Sequence, residues 1–270
     1  MDVALKSAIR RTLNRRSAES LNWKLLEIEA RAGYFLGPTG KRLTTDTPRV
    51  LSREDNYRVE MAVPEALSSE ALRRCQTCWR TDLVDQVTTD AVVGQSVRFT
   101  FDDGDQLISV RRKRRLFVVD ISLPSIFSTD VRLAISEEAL LPRPENTTLP
   151  VGTYTRRKQR TSLHHPDAPC RADITKVSDK SNTSVFEVEV ESTATIANFD
   201  DLLSAAEVVL LSICKLVAQS DASNAPAALN LTAIGAKDDQ ATDINKALGK
   251  RERSLEASET LDSATRPTSR

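Results

Sequence analysis

The sequence predicts an α+β protein that is mainly β, in which eight antiparallel strands close into a barrel, or tunnel, with flanking helices. Three observations lead to this prediction. Eight segments alternate between polar and apolar residues, two of them carry rows of glutamate, and a third carries a row of arginine and lysine. Residues two apart in a strand share a face, so each row projects to one side. Rows of like charge destabilise a sheet, but an eight-stranded barrel can turn such faces inward around a small ligand.

The predicted elements are separated by turn and loop signals. The strands are Lys24–Ala32, Leu83–Thr89, Gln95–Asp102, Gln106–Leu116, Thr129–Glu138, Thr153–His164, Cys170–Val177 and Val185–Ser192, with Tyr57–Ala62 as a further candidate. Helices are predicted at Asp2–Leu21, Pro64–Arg80 and Phe199–Val217. The barrel domain is therefore expected to span residues 1–219. Residues 220–270 hold no aromatic residue and no valine, so we expect a disordered tail there.

Composition and short motifs exclude several function classes. The 38 acidic residues balance the 38 Lys and Arg residues, so net charge predicts no partner. Gly37–Lys41 lacks the glycine spacing of a phosphate-binding loop, and Arg42 stands where such loops have Ser or Thr. Cys75 and Cys78 fall on a predicted helix without a second cysteine pair, which favours packing over a zinc site. No apolar run approaches the roughly 20 residues that a membrane helix needs, so we expect no membrane partner.

The charged rows indicate a metal and a phosphate-bearing ligand. Glu27 and Glu29 form one row and Glu187, Glu189 and Glu191 form the other. These carboxylates repel one another unless water screens them or a cation lies between them, and carboxylate oxygens suit Mg²⁺ or Mn²⁺. The basic row, 156–160, suits phosphate oxygens. A water-facing sheet surface explains one pair of glutamates, but not two all-glutamate rows together with a basic row.

Six segments, taken in order, resemble the metal-dependent RNA 5′-triphosphatases of mRNA capping, the fungal and protozoan type of triphosphate tunnel metalloenzyme. The segments are Leu26–Arg31, Val97–Asp102, Asp130–Glu138, Arg156–Ser162, Arg171–Val177 and Phe186–Glu191, followed by Asn198–Leu202. The resemblance implies a tunnel enzyme that hydrolyses the γ-phosphate of 5′-triphosphate-ended RNA. It also implies hydrolysis of nucleoside triphosphates with manganese.

The resemblance also implies a role for each matching residue. The metal ligands would be Glu27, Glu29 and Glu191, with Glu189, Asp173 and Glu138 acting through water. The phosphate-binding residues would be Arg98, Arg156, Lys158 and Arg160, together with Lys113 or Arg114. Arg171 and Thr175 would brace the carboxylates, and Glu187 would tether a basic side chain. Alignment leaves two choices open, between Lys113 and Arg114 and between Glu137 and Glu138.

The resemblance implies Mg²⁺ or Mn²⁺ as cofactor, the 5′-triphosphate end of nascent RNA and mRNA guanylyltransferase as partners, and a nuclear location. Only about 22 residues precede the first glutamate strand, as in the compact protozoan members. One alternative is a tunnel phosphatase for inorganic triphosphate or another small triphosphate. A second is a non-catalytic nucleic-acid-binding module that uses the basic runs Arg111–Arg115 and Arg156–Arg160. The first of these runs also resembles a nuclear import signal.

Overall fold

The structure is a computed structural model that describes residues 6–7, 9–11, 21–79, 84–94, 96–144, 153–179 and 183–218. All of these belong to one compact unit, Met1–Gly235. Residues 6–7 and 9–11 are helical, in agreement with the predicted N-terminal helix, whose other residues up to 20 lie outside the described part. The predicted tail, 220–270, also lies outside the described residues.

The described chain contains ten strands and two long helices. The strands are β1 Leu26–Leu36, β2 Arg49–Val50, β3 Arg58–Glu60, β4 Val84–Val93, β5 Val97–Phe101, β6 Leu107–Ser122, β7 Asp130–Leu141, β8 Tyr154–His164, β9 Cys170–Ser178 and β10 Ser184–Ser192. The helices are α1 Glu65–Cys78 and α2 Phe199–Val217, and short 3₁₀ turns occupy Trp23–Leu25 and Arg53–Asp55. All eight predicted barrel strands are confirmed, as is the predicted helix at α2.

Eight antiparallel strands close into a barrel in the order β10-β9-β8-β4-β5-β6-β7-β1. Pairing of β1 with β10 completes the circle, with Glu29 opposite Glu191 and Arg31 opposite Glu189. The two remaining strands extend the wall, since β3 pairs with β1 and β2 pairs with β6. A register shift between Arg115 and Phe117 interrupts the β6–β7 pairing. Such a bulge changes which residues beyond it face inward.

The main apolar core lies outside the barrel, between its wall and the helices. The residues that alternate with the glutamates, such as Ile28, Ala30, Val188 and Val190, are buried there. Helix α2 lies against β1 and β10; its N-cap residue, Asn198, accepts hydrogen bonds from the first-turn amides. The barrel therefore places apolar faces outward and polar faces inward. In the described part of the chain, no helix combines the length and hydrophobicity required to cross a membrane.

An ion pair fixes the loop that follows β1. Arg42, which follows Gly37–Lys41, lies 2.8 Å from Asp130 Oδ1. It also donates hydrogen bonds to the carbonyl groups of Leu123, Phe127 and Thr129. Asp130 is fully buried and also accepts hydrogen bonds from the amides of Phe35 and Leu123. Every group of this pair is satisfied, so the role of Arg42 is structural.

Candidate active site

The barrel interior encloses a cavity of about 390 Å³ that is lined almost wholly by polar side chains. Six carboxylates and seven lysine or arginine side chains line it. The acids are Glu27, Glu29, Asp90, Glu138, Glu189 and Glu191, and the bases are Arg31, Arg98, Arg111, Lys113, Lys158, Arg160 and Arg171. The glutamates of β1 and β10, which are Glu27, Glu29, Glu189 and Glu191, form a carboxylate wall. Arg98 of β5 and Lys158 and Arg160 of β8 form a basic wall around Asp90 of β4. The other charged lining residues are Arg31, Arg111, Lys113, Glu138 and Arg171.

Lys113 bridges the two glutamates of β1. Its Nζ lies 2.8 Å from an oxygen of Glu27 and 2.8 Å from an oxygen of Glu29. Arg31, two residues further along β1, pairs with Glu189 and lies 3.6 Å from Glu29. The carboxylate wall is thus held together by cations supplied by the protein.

The edge of the carboxylate wall is fixed by β9. Arg171 donates to Glu191 at 2.6 Å and to Asp173 at 3.0 Å. The buried Asp173 also accepts a hydrogen bond from Ser162 at 2.6 Å and pairs with Arg160 at 3.2 Å. Strand β9 therefore links Glu191, at the carboxylate wall, to two side chains of β8.

The basic wall is organised around Asp90 on β4, which is buried. Its Oδ2 lies 2.8 Å from Lys158 Nζ and 3.6 Å from the guanidinium groups of Arg98 and Arg156. Thr100 donates a hydrogen bond to its other oxygen at 3.0 Å. Asp90 thus faces three cations, of which Arg156 also lies 3.9 Å from Glu187, so positive charge exceeds negative charge in this group and is available to an anionic ligand.

Burial and neighbouring charge shift several pKa values in the cavity. Burial raises the pKa of Glu191 to about 7, and Arg171 offsets only part of this effect. Burial also raises the pKa of Glu27. Glu29 is more deeply buried, but Arg31 and Lys113 overcome that effect and lower its pKa to about 2. Burial and the neighbouring Arg156 lower the pKa of Lys158 to about 8.

The sequence leaves two choices open, between Lys113 and Arg114 and between Glu137 and Glu138, and in the structure only one residue of each pair lines the cavity. Lys113 points into the cavity, whereas Arg114, also proposed as a phosphate-binding residue, lies outside it and pairs with Glu137 at 2.6 Å. Glu138 lines the cavity, whereas Glu137 does not. Adjacent residues of a strand face opposite sides, so Lys113 and Glu138 are the members of each pair that can contact a ligand.

The other predicted residues lie at the cavity or directly behind its lining. Thr175 is buried and accepts a hydrogen bond from Arg160 at 3.3 Å. Glu187 lies 3.9 Å from Arg156, in line with the predicted tether. The structure therefore brings every proposed site residue except Arg114 to one region of the barrel interior. The roles themselves stay predictions.

The carboxylate wall offers the type of ligand atom that a divalent cation binds. Three of its buried oxygens, on Glu27, Glu29 and Glu189, lie within ion-pair distance of Lys113 or Arg31. The Glu29 oxygen lies 3.6 Å from Arg31 and accepts no hydrogen bond. Carboxylate oxygens are the ligands that Mg²⁺ and Mn²⁺ prefer. Among the described residues, no three His, Cys, Asp or Glu side chains are grouped around one metal position. In this structure the ammonium group of Lys113 bridges Glu27 and Glu29.

Solved structures with a similar fold include a fungal RNA triphosphatase. The RNA triphosphatase Pct1 of S. pombe superposes with a TM-score of 0.63 and 17% sequence identity, covering 82% of this chain and 95% of that one. The same enzyme in complex with the Spt5 CTD gives a TM-score of 0.59 and 20% identity, covering 77% and 84%. This chain has the fold of these RNA triphosphatases.

Other comparisons are weaker. The triphosphatase of the Mimivirus capping enzyme gives a TM-score of 0.49 and 12% identity, covering 80% of this chain and 98% of that one. No protein-family model matches the sequence, and no curated protein matches it. The likeness to the RNA triphosphatases therefore rests on the fold, together with the motif order seen in the sequence.

Three cavity residues of this RNA triphosphatase fold were missed by sequence reasoning. Asp90 fell just beyond the predicted strand, which ended at Thr89, although the alternation of Gln86, Thr88 and Asp90 could have revealed it. Arg31 belongs to the first glutamate motif and Arg111 to a basic run, but neither pattern assigns the residue a role in the cavity. Their ion pairs cross between strands, and only the barrel register brings the partners together.

Proposed function

We propose that this chain hydrolyses the γ-phosphate of 5′-triphosphate-ended RNA and leaves a 5′-diphosphate end, the first step of mRNA cap formation. The observation that carries the proposal is the placement of a carboxylate wall and a basic wall in one closed barrel. An empty cavity of this kind is costly because so many charges are removed from water. A metal-bound triphosphate supplies the opposite charge to both walls. The similar structures are RNA triphosphatases, which supports this choice of substrate.

The basic wall binds the phosphate that is transferred to water. Lys158, held 2.8 Å from Asp90, and Arg160 project from β8 into the cavity, and Arg98 projects from β5. Their positive charges stabilise the charge that spreads over the equatorial oxygens as the bond to the leaving group breaks. Because the barrel fixes these groups before the substrate arrives, little reorganisation is needed during the reaction.

The water that attacks the phosphorus needs an acceptor for its hydrogen bond. Glu138 lines the cavity across from the basic wall and in this conformation pairs with Arg111 at 2.9 Å. We assign Glu138 to orienting the attacking water. Asp173 pairs with Arg160 and Arg171, and Glu189 pairs with Arg31, so these two carboxylates fix the cations around the cavity.

Glu27, Glu29 and Glu191 would hold the metal. A bound Mg²⁺ or Mn²⁺ supplies Lewis-acid neutralisation of phosphate charge. Lys113 would contribute its ammonium group to phosphate oxygens if a metal balanced the charge of Glu27 and Glu29, which it now bridges. The proposal extends to hydrolysis of nucleoside triphosphates with manganese, to a nuclear location and to mRNA guanylyltransferase as a partner in capping.

The proposal is tested by phosphate release from triphosphate-ended RNA with Mg²⁺ or Mn²⁺. We compare the wild type with Glu29→Gln and Lys158→Gln, one residue from each wall. The matched controls are Glu60→Gln and Arg157→Gln, whose side chains are 50% and 63% exposed in ion pairs outside the cavity. We expect the wall variants to lose at least about 100-fold in rate and the controls to keep wild-type rates. A folded wild type that releases no phosphate from RNA, ATP or inorganic triphosphate with either metal would sink the catalytic proposal.

A further inference from the structure

Arg111 is the most exposed cation of the cavity. Its side chain is 49% exposed, compared with 17% for Lys113 and 5% for Lys158. The other described bases that line the cavity lie between these limits, with Arg98 at 29% the next most exposed. Arg111 and Lys113 are two residues apart on β6, a distance of about 7 Å along a strand. The cations therefore form a series in exposure, and Arg111 is its most exposed member. We call the end of the cavity at Arg111 its mouth, and the buried region around Lys158 its deep part.

The register places Arg111 directly opposite Arg98 on β5. Both side chains line the cavity, so two guanidinium groups occupy facing positions. Like charges at facing positions destabilise a sheet. Each guanidinium turns to a different carboxylate, Arg111 to Glu138 at 2.9 Å and Arg98 to Asp90 at 3.6 Å. An anion bound at the mouth removes this repulsion.

The ion pair between Arg111 and Glu138 is weaker than the ion pair between Lys158 and Asp90. Glu138 bonds to an arginine that is half exposed, so water screens the pair and its stabilising effect is small. The Lys158–Asp90 pair is almost completely buried and is screened much less. Arg111 can therefore exchange its carboxylate for another anion at low cost, whereas Lys158 stays fixed.

We propose that Arg111 is a specificity-determining residue that releases Glu138 and binds the outer phosphate of the substrate, the α-phosphate of a 5′-triphosphate end. This inference rests on the proposed function in one respect, namely that the terminal phosphate occupies the deep part of the cavity. It goes further by assigning the mouth of the cavity to the part of the substrate that remains after hydrolysis. The exchange also frees Glu138 as the triphosphate enters.

Binding of ligands of increasing length tests this assignment. The ligands are inorganic phosphate, inorganic triphosphate and triphosphate-ended RNA, with phosphate measured by competition against the RNA. The variant is Arg111→Gln, and the matched control is Arg112→Gln, which removes the same charge from the neighbouring residue, outside the cavity lining. Non-specific attraction of RNA to a basic strand affects both variants equally.

We expect Arg111→Gln to weaken the binding of triphosphate-ended RNA and of inorganic triphosphate about tenfold, as for the loss of a charge-assisted hydrogen bond. Its affinity for inorganic phosphate should stay within about twofold of the wild type, because phosphate alone binds in the deep part. Arg111→Lys should restore part of the loss. Equal weakening for all three ligands, an unchanged affinity for all three, or an equal effect of Arg112→Gln would each overturn the inference. A wild type from which phosphate does not displace RNA would also overturn it.

The binding readout separates this inference from the proposed function. A wild type that binds triphosphate-ended RNA but releases no phosphate contradicts the proposed hydrolysis, and the length series still decides the role of Arg111. A wild type that binds no triphosphate overturns both. Urea unfolding of each variant shows whether an affinity change reflects loss of folded protein, and we expect the midpoints of Arg111→Gln and Arg112→Gln to agree.

Discussion

Glu29 on β1 lies directly opposite Glu191 on β10, in the pairing that closes the barrel. Two carboxylates at facing positions oppose closure unless a positive charge lies beside them. In this structure Lys113 and Arg31 provide that charge for Glu29, and Arg171 provides it for Glu191. Closure of the barrel at this seam therefore depends on positive charge beside the two carboxylates.

A metal that binds this seam should stabilise the folded protein. A ligand that binds only the folded state, present at 100 times its dissociation constant, adds about 2.7 kcal/mol to the free energy of unfolding. We expect Mn²⁺ to raise the thermal midpoint of the wild type, and Glu29→Gln and Glu191→Gln to abolish the rise. Glu60→Gln, outside the cavity, should respond like the wild type. An equal rise in all four proteins would place the metal elsewhere.

Replacing Asp90 with Asn should destabilise the fold strongly. The buried carboxylate holds Lys158 at 2.8 Å, and its loss leaves the buried ammonium group of Lys158 without a counter-charge. Breaking a buried pair from one side costs about 3–5 kcal/mol in the free energy of unfolding. Asp103→Asn is the matched control. Asp103 pairs at 2.6 Å with Arg157, which neighbours Lys158 on β8, but both side chains of this pair are about two-thirds exposed. That change should cost less than about 1 kcal/mol; equal costs by urea unfolding would refute the assignment.

The pH dependence of kcat/KM should show an alkaline decline set by Lys158. Burial and Arg156 lower the pKa of its ammonium group to about 8. Below that pH the group is charged and binds phosphate, and above it the free enzyme loses this charge. Profiles of kcat/KM report the pKa values of the free enzyme, so the decline should centre near pH 8. Lys158→Arg should move it to higher pH, because arginine stays protonated; an unmoved decline would assign it to another group.

Replacing Arg42 with Met should destabilise the loop after β1 without altering the cavity. The change removes the partner of Asp130, which is fully buried, and three hydrogen bonds to carbonyl groups. We expect a loss of about 3–5 kcal/mol in the free energy of unfolding. Arg42→Lys should recover only part of it, since an ammonium group cannot reproduce the planar fork. At temperatures where both variants stay folded, their affinity for inorganic phosphate should match the wild type, because Arg42 does not line the cavity.

The strands and the helix α2 could be predicted from sequence because alternation and helical periodicity are local properties of the chain. Glu27 and Glu29 share a face whichever strand lies beside them, and so do Glu187, Glu189 and Glu191. Burial of the intervening Ile28, Ala30, Val188 and Val190 outside the barrel follows from the same alternation. The family resemblance added the order of the motifs, which local pattern does not supply.

Register and partner choice could not be predicted in this way. The choice between Lys113 and Arg114 depends on which face of β6 turns inward, and that depends on its pairing with β7 and on the bulge near Leu116. Asp90 acts through side chains on two other strands, and Arg42 acts on a segment more than 80 residues away. These are long-range relationships, which a single sequence read by local pattern does not contain.

Whether this barrel is an RNA triphosphatase is decided by kcat/KM of the wild type for triphosphate-ended RNA, ATP and inorganic triphosphate, with Mg²⁺, with Mn²⁺ and with a chelator. We expect metal-dependent release of one phosphate per RNA 5′ end, a diphosphate-ended product, and the highest kcat/KM for the RNA. A highest value for inorganic triphosphate would assign the cavity to small substrates. Binding of the RNA without release of phosphate under any of these conditions would show that the protein is not a triphosphatase.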